Sequence, residues 1–175
     1  MADIGGEVIS GSFNQGHLEL FPNSSGKQCV PNSVTSIMLS KIKPFQLWQQ
    51  HDLDSIIMNG DILHSHLSAK LNHDYILATE LPEILEFQNK MFLIHCRNPY
   101  FGCVGTHCSD PLTGNFTLCD ALSGALSQSH SLLFTMGLYL SAFTSVITLQ
   151  NNVYWVFDSH SRNAQGLSYP DGTSI

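Results

Sequence analysis

An α+β fold, with helices first and antiparallel strands after, is what this sequence predicts, and three observations predict it. Apolar residues recur at helical spacing over 30–42 and again over 53–67. Residues 132–138 and 143–149 alternate instead, as strands do. Asn151-Asn152 then separates the second of these from the apolar run Val153-Tyr154-Trp155-Val156-Phe157, as a two-residue hairpin turn does. Helices grouped before strands read as α+β rather than as an alternating parallel sheet.

Taken in order, residues 1–28 carry Gly5-Gly6, Gly11, Gly16 and Asn23-Ser24-Ser25-Gly26. These breakers leave room only for a short strand near 7–10. From Cys29 the pattern turns helical, with Val30, Val34, Ile37 and Met38 at helical spacing. Pro31 fits the first turn, where its missing N–H costs nothing. Cys29 is thereby placed at or next to a helix N-terminus, and Lys43-Pro44 ends that helix. A second helix is expected from Asp52, with Leu53, Ile56, Ile57, Gly60, Leu63 and Leu67 on one face. Residues 75–79 read as extended, and Pro82 as the opening of a short helix carrying Ile84 and Leu85. Strands are expected over 91–96 and 100–104, paired through Asn98-Pro99, with a loop over 106–116. A helix over about 118–128 would put Leu118, Ala121, Leu122 and Ala125 together. The run ending at Phe157 reads as a buried strand.

Composition bounds the function. The chain has 175 residues, enough for one domain with its own core. Apolar residues make up 43% and charged residues 12%, which excludes disorder. The net charge of -7 lacks the basic face that a nucleic-acid binder turns to phosphates. No apolar stretch is long enough for a membrane span, and residues 1–16 have no apolar signal core. Five cysteines at irregular spacing suit a reducing, intracellular compartment, cytoplasmic or nuclear. Tyr169-Pro170-Asp171-Gly172 looks like a turn entering a further strand. The expectation is therefore one catalytic domain, 1–175, excised from a longer protein.

The chemistry gathers at Asp158-Ser159-His160. Side chains two apart on a strand share a face, so the acid and the histidine stand side by side. A histidine oriented by a carboxylate serves as a general base. A cysteine hydrolase also needs a thiolate at a helix N-terminus, where the dipole favours the anion, and an upstream donor for the oxyanion. Cys29 and Gln15 stand in that order before Asp158 and His160. Each has a plainer reading: Cys29 as a small buried hydrophobe, Gln15 as a loop residue, Asp158 and His160 as a polar strand end. A second cluster, Cys96, Cys103, His107, Cys108 and Cys119, lacks the paired short spacing of a zinc site and reads as packing. His64, His66 and His73 read as solvated. Trp48 and Trp155 read as core or partly buried.

Three segments together carry a resemblance. Gly11-Ser12-Phe13-Asn14-Gln15, then Lys27-Gln28-Cys29-Val30-Pro31-Asn32-Ser33, then Phe157-Asp158-Ser159-His160-Ser161-Arg162-Asn163 with Gly166 resemble the viral-tegument-like deubiquitinases. These are relatives of the cysteine protease domain of herpesvirus large tegument proteins. The segments lie at the two ends of the chain, and residues 41–139 show pattern without motif. The resemblance implies a papain-like fold, with the cysteine helix packed on an antiparallel sheet. It implies Cys29 as nucleophile, His160 as base, Asp158 as the acid that orients it and Gln15 as the oxyanion-hole residue. The one departure is that the chain stops at Ile175, where the family's turn leads into a further strand.

The implied reaction is hydrolysis at the C-terminal glycine of ubiquitin, by a monomer, with no metal and no cofactor. Ubiquitin's tail, Leu-Arg-Leu-Arg-Gly-Gly, asks for carboxylates and for a narrow aromatic channel. Glu80, Glu83, Glu86, Asp52 and Asp54 are the acidic candidates, and Trp155, Tyr100 and Phe101 the wall candidates. Each acid reads equally as part of a solvated face. Three alternatives stand beside this reading: a protease for another ubiquitin-like modifier or a viral-type substrate, a catalytically dead ubiquitin-binding module, and a zinc-binding interaction domain.

Overall fold

Helix α1 (Cys29–Ser40) is buried along almost its whole length, including Asn32, Ser33, Thr35, Ser36 and Ser40. The computed structural model describes residues 7–95, 101–102, 115–138 and 141–175. Within it, α1 lies between helix α2 (Gln50–Leu71) on one side and strands β5 (Ser131–Leu138) and β6 (Ser141–Gln150) on the other. Its hydroxyls make this burial tolerable. Ser36 Oγ and Ser40 Oγ donate back to the carbonyls of Ser33 and Ile37. Ser33 Oγ donates across to the Thr144 carbonyl of β6 at 3.5 Å.

The face expected of α2 is the face it buries: Leu53, Ile56, Ile57, Gly60 and Leu67 are inside, with Leu63 packed against them. The helix starts two residues before Asp52, whose carboxylate accepts the Gln49 backbone N–H at 2.7 Å. It ends where Asn72 turns left-handed at φ 59. His64 departs from its solvated reading. It is 3% exposed, and its Nε2–H donates to the Asp74 carbonyl at 2.7 Å, pinning the chain after α2. Gly60 lets the two helices meet. A Cβ there would come within 1.8 Å of Asn32 Oδ1 and 2.9 Å of Asn32 Cα. Gly60→Ala is therefore expected to lower stability by about 1–3 kcal/mol through overpacking, read as a fall in the urea midpoint.

Four short-range expectations are corrected. Residues 7–10 form no strand. The stretch 75–79, read as extended, runs at its end into a single 3₁₀ turn, Ala78–Glu80. Ile84–Phe87 is not a helix but strand β1, paired antiparallel with β2 (Lys90–Leu93). A two-residue turn with positive φ at Gln88 and Asn89 joins them, and Leu85 and Phe87 point inward while Ile84 and Glu86 point out. Pro82 was compatible with either a helix start or a strand lead-in, and four apolar-rich residues are too few for period to decide. Finally, β3 (Phe101–Gly102) pairs in parallel with β4 (Asn115–Phe116), not with β2. Helix α3 (Leu118–Gln128) follows as expected, with Thr117 Oγ1 accepting the Asp120 N–H at 3.2 Å.

The three-stranded sheet runs β5-β6-β7 with both pairs antiparallel, β7 being Val153–Phe157. Asn151 and Asn152 take φ 54 and 60, the conformation of the tight hairpin turn. The strand is not buried. It is an edge, with Val153, Tyr154 and Val156 exposed and only Phe157 fully inside. The core draws on both halves of the chain, joining Phe21, Met38, Ile56, Phe87, Val146 and Phe157.

The last three residues are held on both sides. Asp158 and Ile175 exchange backbone hydrogen bonds at 2.8 and 3.0 Å, and Arg162 and Thr173 do so at 3.0 Å. On the other side, Ser174 accepts from Gly11 N–H at 2.9 Å and donates to the Phe13 carbonyl at 3.1 Å. Gly172 permits this approach, since a Cβ there would lie 2.3 Å from the Arg162 carbonyl oxygen. The C-terminal segment is thus a spacer between the Gln15 loop and the strand end bearing Asp158.

Candidate active site

Cys29 is the first residue of α1 and half-buried, so the plainer reading of a packed small hydrophobe does not describe it. The chain leading to it is anchored from below. Gln28 is fully buried, and its Nε2 donates to Ser24 Oγ at 2.8 Å and to Asp61 Oδ1 of α2 at 2.5 Å. Ser24 Oγ donates to the same Asp61 oxygen.

Asp158 and His160 meet as their spacing required. His160 Nδ1 lies 2.6 Å from Asp158 Oδ1, which also accepts the His160 backbone N–H at 2.9 Å. Against a carboxylate, Nδ1 carries the proton, which leaves Nε2 as the basic nitrogen. The other carboxylate oxygen, Oδ2, is gripped by Arg162, with Nε at 2.8 Å and Nη2 at 2.7 Å. Burial pushes the Asp158 pKa up. Hydrogen bonds from the His160 ring and backbone, together with the His160 and Arg162 charges, more than offset this and hold it at about 2. The acid is therefore ionised across the neutral range. Phe143 of β6 stands edge-on to the His160 ring, centroids 4.9 Å apart, and limits its rotation.

Gln15 joins the two segments. It is 2% exposed. Its backbone N–H donates to the Ser159 carbonyl at 2.9 Å, and its carbonyl accepts from Gly26 N–H at 3.0 Å. Its side-chain Oε1 accepts from Ser159 Oγ at 2.8 Å and from Asn32 Nδ2 at 3.2 Å. Ser159 sits between Asp158 and His160, and Asn32 is one turn along α1 from Cys29. A second link runs through Ser33, which touches Thr144 beside Phe143, the residue packed on His160. The strand end and the cysteine helix therefore meet. Among the described residues, the buried Gln15 Nε2 has no hydrogen-bond partner. A buried amide held through its oxygen by Ser159, between the acid and the histidine, and by Asn32 on the cysteine helix leaves an N–H of the kind that acyl transfer to a thiol uses.

The outlying candidates fall differently. Trp155 lies flat on Phe45, centroids 5.4 Å apart, and packs against the core. Tyr100 lies outside the described residues, and of Phe101 only the backbone is described. Glu83 and Glu86 are exposed at β1. The other acids are engaged within the protein: Asp52 with Lys43 at 2.6 Å, Asp54 with Ser12 at 2.6 Å and Glu80 with His73 at 3.0 Å. Cys96, Cys103, His107 and Cys108 lie outside the described residues, and Cys119 is exposed on α3. Among the described residues, no cluster of three or more His, Cys, Asp or Glu side chains is placed to hold a metal, and no helix is long and apolar enough to cross a membrane. Sequence reasoning assigned no role to Gln28, Asn32, Ser159, Arg162, Asp61 or Phe143. The first four stood in the matching segments, which was the only signal available for them.

Residues 10–174 match the family described as herpesvirus tegument protein, N-terminal conserved region. No curated protein matches the chain. Among solved structures it is similar to the ubiquitin-specific protease encoded by a murine cytomegalovirus tegument protein, crystallised in complex with a ubiquitin-based suicide substrate. The two share 18% identity with a TM-score of 0.77, over 97% of this chain and 72% of that one. The likeness establishes the same α+β architecture, with the cysteine helix laid on an antiparallel sheet.

Proposed function

The chain belongs to the herpesvirus tegument protein N-terminal family, and from that premise we propose that it is a cysteine-type deubiquitinase with Cys29, His160, Asp158 and Gln15 as its catalytic residues. The observation that carries the reading is the buried Gln15 amide, tied to both catalytic segments with its N–H unspent. The fold shared with a viral ubiquitin-specific protease supports the substrate class. Residues 1–175 are read as one catalytic domain, acting in a reducing compartment and needing no cofactor.

In this mechanism His160 Nε2 takes the Cys29 thiol proton, and the thiolate attacks the carbonyl of ubiquitin's terminal glycine. The oxyanion is held by Gln15 Nε2–H and the Cys29 backbone N–H. As the tetrahedral species collapses, the C–N bond breaks and His160 gives its proton to the departing lysine amine. Water, deprotonated by His160, then attacks the thioester, releasing the ubiquitin carboxylate and the Cys29 thiol. Asp158 keeps the ring aligned throughout and stabilises its charged form. Of the five acids named for the arginines of the ubiquitin tail, Glu83 and Glu86 are the exposed ones.

A ubiquitin carrying a C-terminal electrophile is expected to modify Cys29 alone, identified by peptide mass. Gln15→Ala is expected to lower kcat on a ubiquitin–fluorophore substrate about a hundredfold, the usual worth of an oxyanion donor. Modification by the electrophilic form of another ubiquitin-like modifier, with ubiquitin inert, would replace the substrate. Absence of reaction with every such probe would return the chain to a binding module.

A further inference from the structure

We infer that Asn32 and Ser159 are positioning residues for the Gln15 amide, Ser159 fixing where it sits and Asn32 fixing which end faces the reacting carbonyl. The inference rests on the reading of Gln15 as the oxyanion donor. The two ends of a glutamine amide are nearly identical in shape and opposite in function. With Nε2 toward the substrate, the amide stabilises a developing oxyanion. Turned by 180° about its last torsion, it presents Oε1, whose negative end repels that charge. The torsion is broad, so the side chain by itself sets no strong preference.

Two donors converge on Oε1, one from each catalytic segment. Ser159 Oγ donates from 2.8 Å and Asn32 Nδ2 from 3.2 Å. Both residues are 0% exposed, so solvent does not compete for the bonds. A hydroxyl rotates freely and would serve a flipped amide equally well as an acceptor. Ser159 therefore sets where the amide group sits, and Asn32 sets which way it points: a flipped Gln15 would oppose its Nε2–H to the Asn32 Nδ2–H.

Asn32 is itself oriented by α2. Its Oδ1 lies against the bare Cα of Gly60, where an added Cβ would approach to 1.8 Å. An oxygen fits that notch better than an NH2 group, which carries two more hydrogens, although it accepts no hydrogen bond there from the described residues. The amide end of Asn32 is thereby turned to Gln15. The sequence from Gly60 through Asn32 to Gln15 links the α1–α2 packing to the orientation of the oxyanion donor. Its partner, Ser159, stands between the acid and the base just past the end of β7, where the His160 backbone N–H turns back to the Asp158 carboxylate at 2.9 Å. Asp158 and His160 face each other, and the residue between them faces the other way.

The test is a double-mutant cycle on ubiquitin–fluorophore hydrolysis, with wild type, Ser159→Ala, Asn32→Ala, Gln15→Ala and the two doubles. Each positioning substitution is expected to lower kcat about tenfold, the worth of one buried hydrogen bond, with KM unchanged. In the Gln15→Ala background each is expected to change kcat by less than about twofold, because the group through which it acts is gone. Thermal midpoints check that every variant is folded. Wild-type kcat in both single variants would overturn the inference, as would a full tenfold loss retained in the Gln15→Ala background. The second result would mean support of Cys29 or His160 directly. Wild type that leaves ubiquitin intact but cleaves another modifier's fluorogenic ester would fail the substrate reading alone. The same cycle on that ester still decides the positioning.

Discussion

Cys29→Ala is expected to abolish turnover of a ubiquitin–fluorophore substrate while leaving the protein folded and able to bind ubiquitin. Removing the nucleophile from a triad-type hydrolase costs on the order of a million-fold in kcat, because no other group forms the covalent intermediate. The fold has little stake in the thiol. Cys29 is half-buried at the first position of α1, and its place is set by the buried Gln28 before it and Asn32 after it. Alanine is also the better helix former. Calorimetric titration with ubiquitin should therefore give an affinity close to that of the unmodified protein. Turnover at the normal rate by Cys29→Ala would sink the assignment of the reaction to this site. Loss of both turnover and the thermal transition would show instead that the thiol is a packing element.

Asp158→Asn is expected to lower kcat about ten-thousandfold through the wrong histidine tautomer, as the equivalent change does in serine proteases. Here the charge on Arg162 favours that outcome. Its Nε and Nη2 both donate to the Oδ2 position, at 2.8 and 2.7 Å. An asparagine that keeps its oxygen on the charged guanidinium turns its NH2 toward His160 Nδ1, and loses the His160 backbone N–H bond that Oδ1 accepted at 2.9 Å. Nδ1 must then accept, the proton moves to Nε2, and the ring can no longer take a proton from Cys29. The measurement is kcat against pH for both proteins, with the histidine tautomer read from imidazole nitrogen shifts. A variant within tenfold of wild type, or one keeping Nδ1 protonated, would remove Asp158 from its role. Acid unfolding supplies an independent check. The Asp158 pKa is held at about 2 against an ordinary 3.8. Its contribution to stability is therefore complete above about pH 4 and lost as the pH falls toward 2. The asparagine variant should lack that part of the slope.

Much of this site was legible before any coordinates, for reasons local to the chain. Pro31 in a first turn and the helical spacing of Val30 and Val34 placed Cys29 at a helix start, and α1 begins there. Alternation up to Phe157 put Asp158 and His160 on one face, and their side chains meet at 2.6 Å. The long face of α2 was readable because 22 residues hold several turns of evidence. The β1–β2 hairpin was not, because four residues after a proline do not distinguish period 2 from period 3.6. His64 was misread because only the chain after α2, folding back, supplies the Asp74 carbonyl that accepts from it. The run Val153–Phe157 was apolar enough for a buried strand, and became an exposed edge because β6 is its only neighbour in the sheet among the described residues.

By itself the sequence determined the helix start at Cys29, the pairing of Asp158 with His160 and the order in which Gln15, Cys29, Asp158 and His160 stand. Those are features of backbone period and capping, which act over a few residues. Tertiary structure alone decided that Gln15 meets Ser159, 144 positions away. It alone decided that Arg162 takes the free oxygen of Asp158 and that Asn32, given room by a glycine on another helix, reaches Gln15. Hydrogen bonds of that kind form only once burial has brought distant surfaces together, and no local pattern specifies which surface will arrive.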